Sequence, residues 1–174
     1  MRGAWRGRPR SRRAPSRQRS GRRAVRSPVV YLSGAIGLAF AGLLALPYFG
    51  DVVNGAARHV FQGGCQVVSV IDGDTVTLLC PGRLPERARL TGFDAPELFS
   101  PQCPSELALA YRAKWALRLA TWKAEETGVV RKGRDRYDRA LVGLSVDGVP
   151  VARILIDQGL ARPYDGGKRG GWCG

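Results

Sequence analysis

The stretch VIDGDTVTLL, residues 70 to 79, carries two acids, Asp72 and Asp74, among β-branched and apolar neighbours. A tight turn at Asp72-Gly73 uses one acid at most, which leaves Asp74 without a turn to make. Further on, RLTGFDAPE, residues 89 to 97, supplies Arg89, Asp94 and Glu97. Pro96 keeps Ala95 out of helical geometry, so this reads as a strand end running into a turn. The Asp74 and Asp94 carboxylates and the Ala95 carbonyl are three hard oxygen donors, and an oxygen-only set suits Ca²⁺. In RDRYDRALVGL, residues 134 to 144, Arg139 opens a strand beside Tyr137. An arginine fork holds a phosphate through two parallel hydrogen bonds, which lysine cannot copy. A dication with two guanidiniums would neutralise a phosphodiester, and Glu97 beside them would take a proton from water. Taken singly, each signal has a plain reading: a solvated hairpin tip, a common loop string, a solvated arginine. Their weight comes from occurring in one order within one small domain.

The elements that must position these residues are short. CQVVSV and TVTLLC flank Asp72-Gly73 as a hairpin, and RARLTGF forms a third strand. GVVRKG and RALVGLSV are two more, and Asp147-Gly148 is a second hairpin turn. A helix starts at Ser105, after Pro104. Leu107, Tyr111, Trp115, Leu119 and Trp122 fall on one of its faces, which reads as a core stripe. Residues 150 to 158 form a short helix that ends at Gly159. The class is α+β, mainly β: a five-stranded barrel of the oligonucleotide/oligosaccharide-binding (OB) type with two or three helices.

Charge divides the chain of 174 residues. Of its 28 basic residues, 11 are arginines before residue 51, where there is no acid; the other 17 face 14 acids, a net of +3. The overall +14 therefore describes a tail and does not mark the domain as a binder of nucleic acid. Residues 1–26, almost without large apolar side chains, are expected to be disordered in the cytoplasm. Residues 27–50 carry no charge and are long enough for a transmembrane helix, with the arginines inside and the domain exported. A cleaved signal peptide, giving a secreted protein, is the alternative. Residues 51–64 read as a linker, and 65–174 as the domain, about 115 residues in size and expected to be monomeric.

Four cysteines in an exported domain favour disulfides over zinc, since there is no Cys-x-x-Cys and the single histidine, His59, falls in the linker. Four cysteines allow three pairings. A two-residue turn at 72 and 73 sets Cys65 opposite Cys80, as a hydrogen-bonded pair with Cα atoms about 5.5 Å apart. Cys103 then pairs with Cys173 by elimination.

VIDGDTV, RLTGFDAPE, DRYDRALVGL and VARILIDQGLARPY, in this order, resemble the thermonuclease (staphylococcal nuclease-like) family over most of residues 66 to 164. The closing ARPYDGGKRGGWCG is similar to the tail of bacterial exported members, which implies a single-pass protein of the inner membrane with its domain in the periplasm or outside the cell. The resemblance implies a five-stranded OB-type barrel. It implies a Ca²⁺-dependent nuclease that cuts the 5′ P–O bond of DNA and RNA, single strands included, and leaves 3′-phosphates. Asp74 and Asp94 match the Ca²⁺ carboxylates, the Ala95 carbonyl a third ligand, and Asp72 an acid behind the ion. Glu97 matches the residue that orients or deprotonates water, and Arg89 and Arg139 the phosphate-binding arginines. Tyr137 and Tyr164 match positions lining the nucleotide site. The chain departs from the family at Asp138, where glycine is common, at Ala95, where threonine is usual, and in lacking a C-terminal helix. Asp138 is expected to keep a left-handed turn.

Two other classes compete. Small barrels of this type also bind single strands without cutting them. Such a module has no use for Asp74, Asp94 and Glu97, which repel phosphate unless a cation sits among them. A structural membrane protein explains residues 27–50 and none of the acids.

Overall fold

The structure, a computed structural model, describes residues 28–62 and 64–173. The arginine-rich tail lies outside them. The chain divides into a unit ending at Leu38 and a unit of residues 39–174. Of the first unit, residues 28–38 are helical, the opening turns of α1 (Pro28–Gln62). All else belongs to the second.

Residues 51–62 do not form a linker. They continue α1, and residues 51–58 pack on the domain. Small residues allow the approach: a side chain at Gly55 would meet the Val67 carbonyl at 2.4 Å, and one at Gly50 would meet Trp122 at 3.0 Å. Asp51, 3% exposed, accepts from the guanidinium of Arg118, the indole of Trp122 and the backbone N–H of Val70. Arg58 donates to the Trp122 carbonyl, one of those left without an intrahelical partner at a helix C-terminus. The composition of this stretch is polar because it makes these bonds, not because it is unstructured.

The main sheet runs β1 (Gln66–Val70), β2 (Thr75–Leu79), β3 (Glu86–Leu90), β6 (Ala140–Val146), β5 (Thr127–Arg134), with β7 (Val149–Pro150) beside β6. Its pairs are antiparallel except β3 with β6. The chain bends at Gly92, φ +95°, a conformation glycine adopts without cost. It then forms β4 (Gly92–Asp94), which pairs with β8 (Arg162–Tyr164). The result is a curled five-strand half-barrel of the OB type with helices α2 (Pro104–Lys123) and α3 (Val151–Asp157). Val70, Val76, Leu78, Leu90 and Phe93 of the sheets close on Leu117 of α2 and Leu155 of α3, all 2% exposed or less. Each such Val or Leu contributes about 1.5–3 kcal/mol by leaving water.

Three expectations need correction. The β1–β2 connection is longer than a two-residue turn: Val70 pairs with Val76, and Asp74 N–H donates to Asp72 Oδ1 across the loop. Gly73 is needed there for space, because a Cβ would stand 2.9 Å from both Ala95 and Ala113. A register shift between Val67 and Ser69 then restores Gln66 to Leu79, so Cys65 and Cys80 still meet. Their Cα atoms are 4.0 Å apart, nearer the close strand spacing than the wide one. The second bridge joins Cys103 and Cys173. Finally, the aromatic stripe of α2 is not core. Ala110, Ala113 and Leu117 face the sheet, because the tight approach of Gly73 admits only small side chains there, while Tyr111 and Trp115 are 52% and 42% exposed.

Asp147 (φ 50°) and Gly148 (φ 78°) form the expected hairpin turn, and Asp138 (φ 60°) keeps the left-handed geometry.

Candidate active site

Register assembles the site. Thr75 opposes Arg89 across β2 and β3, and Asp74 immediately precedes Thr75, so Arg89 and Asp74 lie side by side. Their backbones are joined by Leu90 N–H to Asp74 O, 2.8 Å. The Arg89 guanidinium comes 2.5 Å from Asp74 Oδ2, and Thr75 Oγ1 donates to Asp74 Oδ1 at 2.9 Å. Asp94 closes β4 and reaches the same point, its Oδ1 3.9 Å from Arg89 Nη2. Both carboxylates are 5% exposed. Burial pushes the Asp74 carboxyl up to about 7; Arg89 opposes this, and the neighbouring Asp72 adds to it.

Asp94 Oδ1 is buried without a well-aligned hydrogen bond, and what faces its charge is the Arg169 Nε at 3.1 Å and the Arg89 guanidinium at 3.9 Å. The candidate ligand atoms of Asp74, Asp94 and Ala95 are oxygens alone, the set that suits Ca²⁺ or Mg²⁺. Asp74, Asp94 and the Ala95 carbonyl therefore fit a hard dication by the chemistry of the donor set.

Two parts of the chain beside the acids, the tail and the first turn of α2, had no signal in the sequence. Arg169 reaches Asp94 Oδ1 (3.1 Å) through Nε and Glu97 Oε1 (2.7 Å) through Nη1. Burial lowers the proton affinity of Arg169, but the fields of Asp94, Asp74 and Glu97 and a hydrogen bond with Tyr164 outweigh it and raise it. Trp172 Nε1 lies 3.4 Å from Asp94 Oδ2 and stacks under Arg162. Both belong to the glycine-rich tail that Cys103–Cys173 closes. A charge in such a tail looks like solvated linker until the bridge is seen to hold it over the acids. Glu106 is the second omission. Buried in the first turn of α2, it accepts from the backbone N–H groups of Glu97 (3.3 Å) and Gln102 (2.6 Å), tying down the loop that presents Glu97.

The structure thus gathers Asp72, Asp74, Arg89, Asp94, Ala95 and Glu97, with Tyr164 at the margin, where its ring faces Arg169. Arg139 and Tyr137 form a separate cluster. Asp135 accepts from the Arg139 backbone (2.9 Å), the Arg139 Nε (2.7 Å) and the Tyr137 backbone (2.9 Å). Burial pushes the Asp135 carboxyl up, but these hydrogen bonds outweigh it and hold the group low. No ion pair joins Arg139 to Asp74, Asp94 or Glu97 among the described residues. Asp138 turns away to Arg134 (3.3 Å). Beside the acids, Arg89, Gly92, Lys132, Leu141, Tyr164 and Gly166 help to line a groove of about 600 Å³.

Fold and site together define a small OB-type barrel with an acid and arginine cluster suited to a cation and a phosphate. The comparisons with known proteins narrow the class. Residues 87–169 match the family model described as Staphylococcal nuclease homologue. The matched range takes in Arg89, Asp94, Glu97, Arg139 and Arg169, and begins after Asp72 and Asp74. Over 113 residues the chain is 31% identical to a protein of Haemophilus influenzae named an uncharacterized endonuclease. The match covers 65% of this chain and 58% of that relative.

Proposed function

We propose that the chain is a metal-dependent nuclease hydrolysing the phosphodiester bonds of DNA and RNA, with Ca²⁺ as the ion and 5′ P–O cleavage that leaves 3′-phosphates. The observation that carries the reading is the convergence of two nearly inaccessible carboxylates, Asp74 and Asp94, with Arg89 between them and Glu97 beside them. A binder of polyanions gains nothing from burying acids at its ligand site. The family match over residues 87–169 and the name of the Haemophilus influenzae relative, an uncharacterized endonuclease, support the same reading.

Asp74, Asp94 and the Ala95 carbonyl would hold the ion, with Asp72 behind Asp74. When bound it supplies positive charge against the phosphate and the charge that grows in the transition state. Arg89 binds a phosphate oxygen by a two-pronged hydrogen bond, and Arg139 supplies the second guanidinium. Glu97 accepts the proton of the attacking water. Tyr137 and Tyr164 flank the nucleotide. Arg139 must leave Asp135 at least in part to reach substrate, and its place immediately before β6, one residue ahead of the partner of Ala88, sets it next to the strand that carries Arg89.

The apolar half of α1 acts as an uncleaved single-pass anchor of the inner membrane, with the domain on the exported side. Its support is one helix long and apolar enough to cross a bilayer, and two disulfides, which persist in oxidising compartments.

The test is digestion of single-stranded DNA by the full chain in detergent, non-reduced, with Ca²⁺ and then with chelator. Cleavage that chelator abolishes supports the reading. A folded protein that retains the strand and never cuts it overturns it in favour of a binding module.

A further inference from the structure

Helix α1 is locked into the domain, and the lock leaves an apolar face bare. Asp51 sits in the interior with five hydrogen bonds from Arg118, Trp122 and Val70. Arg118, 1% exposed, has no other carboxylate within ion-pair distance among the described residues. Loss of the chain through Asp51 would leave that guanidinium buried and unpaired, so α1 is built as a permanent part of the fold. One turn earlier, Tyr48 packs against α2. Its hydroxyl accepts from Lys114 Nζ (3.3 Å), and its ring lies under Lys114 (5.1 Å) and Arg118 (5.4 Å). The Trp115 ring also lies against Arg118, at 4.9 Å. Beyond these contacts a groove of about 670 Å³ opens between α1 and α2. Leu43, Leu44, Leu46, Tyr48, Tyr111 and Trp115 around it are each between 42% and 65% exposed.

We propose that this face rests in the interfacial zone of the lipid bilayer that α1 enters, so that the catalytic domain stands on the membrane and does not swing on a tether. The proposal rests on the reading of α1 as an uncleaved anchor. Three observations choose lipid over another partner. The face is continuous with the apolar run itself: counting the about 20 residues of a hydrocarbon span back from Leu46 ends at Ser27, next to Arg26. Tyr48, Tyr111 and Trp115 then stand at headgroup depth, where rings with one polar edge are favoured. The exposed charges of α2, Arg112 and Lys123, are both basic and complement lipid phosphates, while its one acid, Glu106, is buried. Lys114 and Arg118 are buried, their charges covered by the rings of Tyr48 and Trp115.

The experiment uses the full chain reconstituted into phosphatidylcholine–phosphatidylglycerol vesicles, with and without lipids brominated high on the acyl chains. Alkaline carbonate extraction reports the anchor, and quenching of tryptophan emission reports the docking. We expect retention in the membrane pellet and bromine quenching that Trp115→Phe largely removes. Tyr111→Trp in the Trp115→Phe protein places the reporter one turn earlier on the same stripe and should restore the quenching. Retention with emission from Trp115 that is open to aqueous iodide and insensitive to bromine overturns the docking and leaves the anchor standing. Release by carbonate overturns the anchor and the docking with it.

Discussion

Replacing Asp74 by asparagine should make the metal-free protein more stable while removing its activity. The carboxyl is nearly inaccessible, and burial together with Asp72 raises its pKa from 3.8 to about 7 even though Arg89 touches it. A group whose native pKa exceeds its unfolded one contributes its full stability below the unfolded value. That contribution is lost as pH rises through the native value. About three units correspond to about 4 kcal/mol. Asparagine mimics the protonated acid in size and removes the charge, but it returns a weaker hydrogen bond to Arg89. The net gain expected at pH 8 in chelator is therefore about 2–3 kcal/mol. Near pH 4, where the native acid is already protonated, the gain should shrink toward zero. Urea melts of both proteins across pH 4 to 8 read this directly. Saturating Ca²⁺ should reverse the order, because only the wild type gains RT ln(1 + [L]/Kd). A mutant less stable than wild type at pH 8 in chelator, or a gain equal at pH 4 and pH 8, would refute the idea that the site stores an unfavourable buried charge until a cation arrives.

Arg89→Ala and Glu97→Ala should each fold and lose about 10²–10³ in cleavage rate, the usual effect of deleting one preorganised group; near-normal kcat in either variant counts against its assigned role. Arg169→Gln should tighten Ca²⁺ by about threefold to tenfold in calorimetry, since the ion no longer displaces a guanidinium from Asp94 and Glu97; weaker binding would mean that Arg169 supports the site. Lys132→Ala should weaken single-strand binding in chelator and reduce the salt dependence by about one counterion, and an unchanged slope would remove the groove from the substrate path. Asp51→Ala should cost about 3–5 kcal/mol by leaving Arg118 buried without its partner, whereas a change under about 1 kcal/mol would place residues 51–58 outside the cooperative fold.

What was readable in the sequence was local. The five main strands, both bridges and the turn at Asp147-Gly148 follow from alternation, turn chemistry and counting. Asp74 stood out because no turn needed it. The misreadings share a cause: a residue judged by its own segment when a distant one decides its place. Gly73 looked like a turn glycine, but its role is to let α2 come close, and that closeness excludes Tyr111 and Trp115 from the core. Asp51 and Arg58 looked like linker because their partners lie more than 60 residues away in α2. Strands β4 and β8 are three residues each and exist because they pair, so neither carries a periodicity of its own. Arg169 could be placed only once Cys103–Cys173 had fixed where the tail runs.

These long-range ties form a pattern that bears on the site. Two acids buried at the end of a half-barrel repel each other and their low-dielectric surroundings, and the fold must hold them together before any cation does so. Arg89 does part of this from within the sheet, and Arg169 does part from the tail. The tail itself is short and rich in glycine, with little apolar surface to keep it in place. Closing a chain separation of 70 residues with a disulfide removes about 4 kcal/mol of freedom from the unfolded state, on the chain-entropy account. That is comparable with the cost of ionising Asp74. The same bridge ends beside Glu106, which fixes the Glu97 loop. Residues 165–173, clamped by Cys103–Cys173, can thus hold Arg169 over a buried acidic site, so that the clamp and the site stand or fall together.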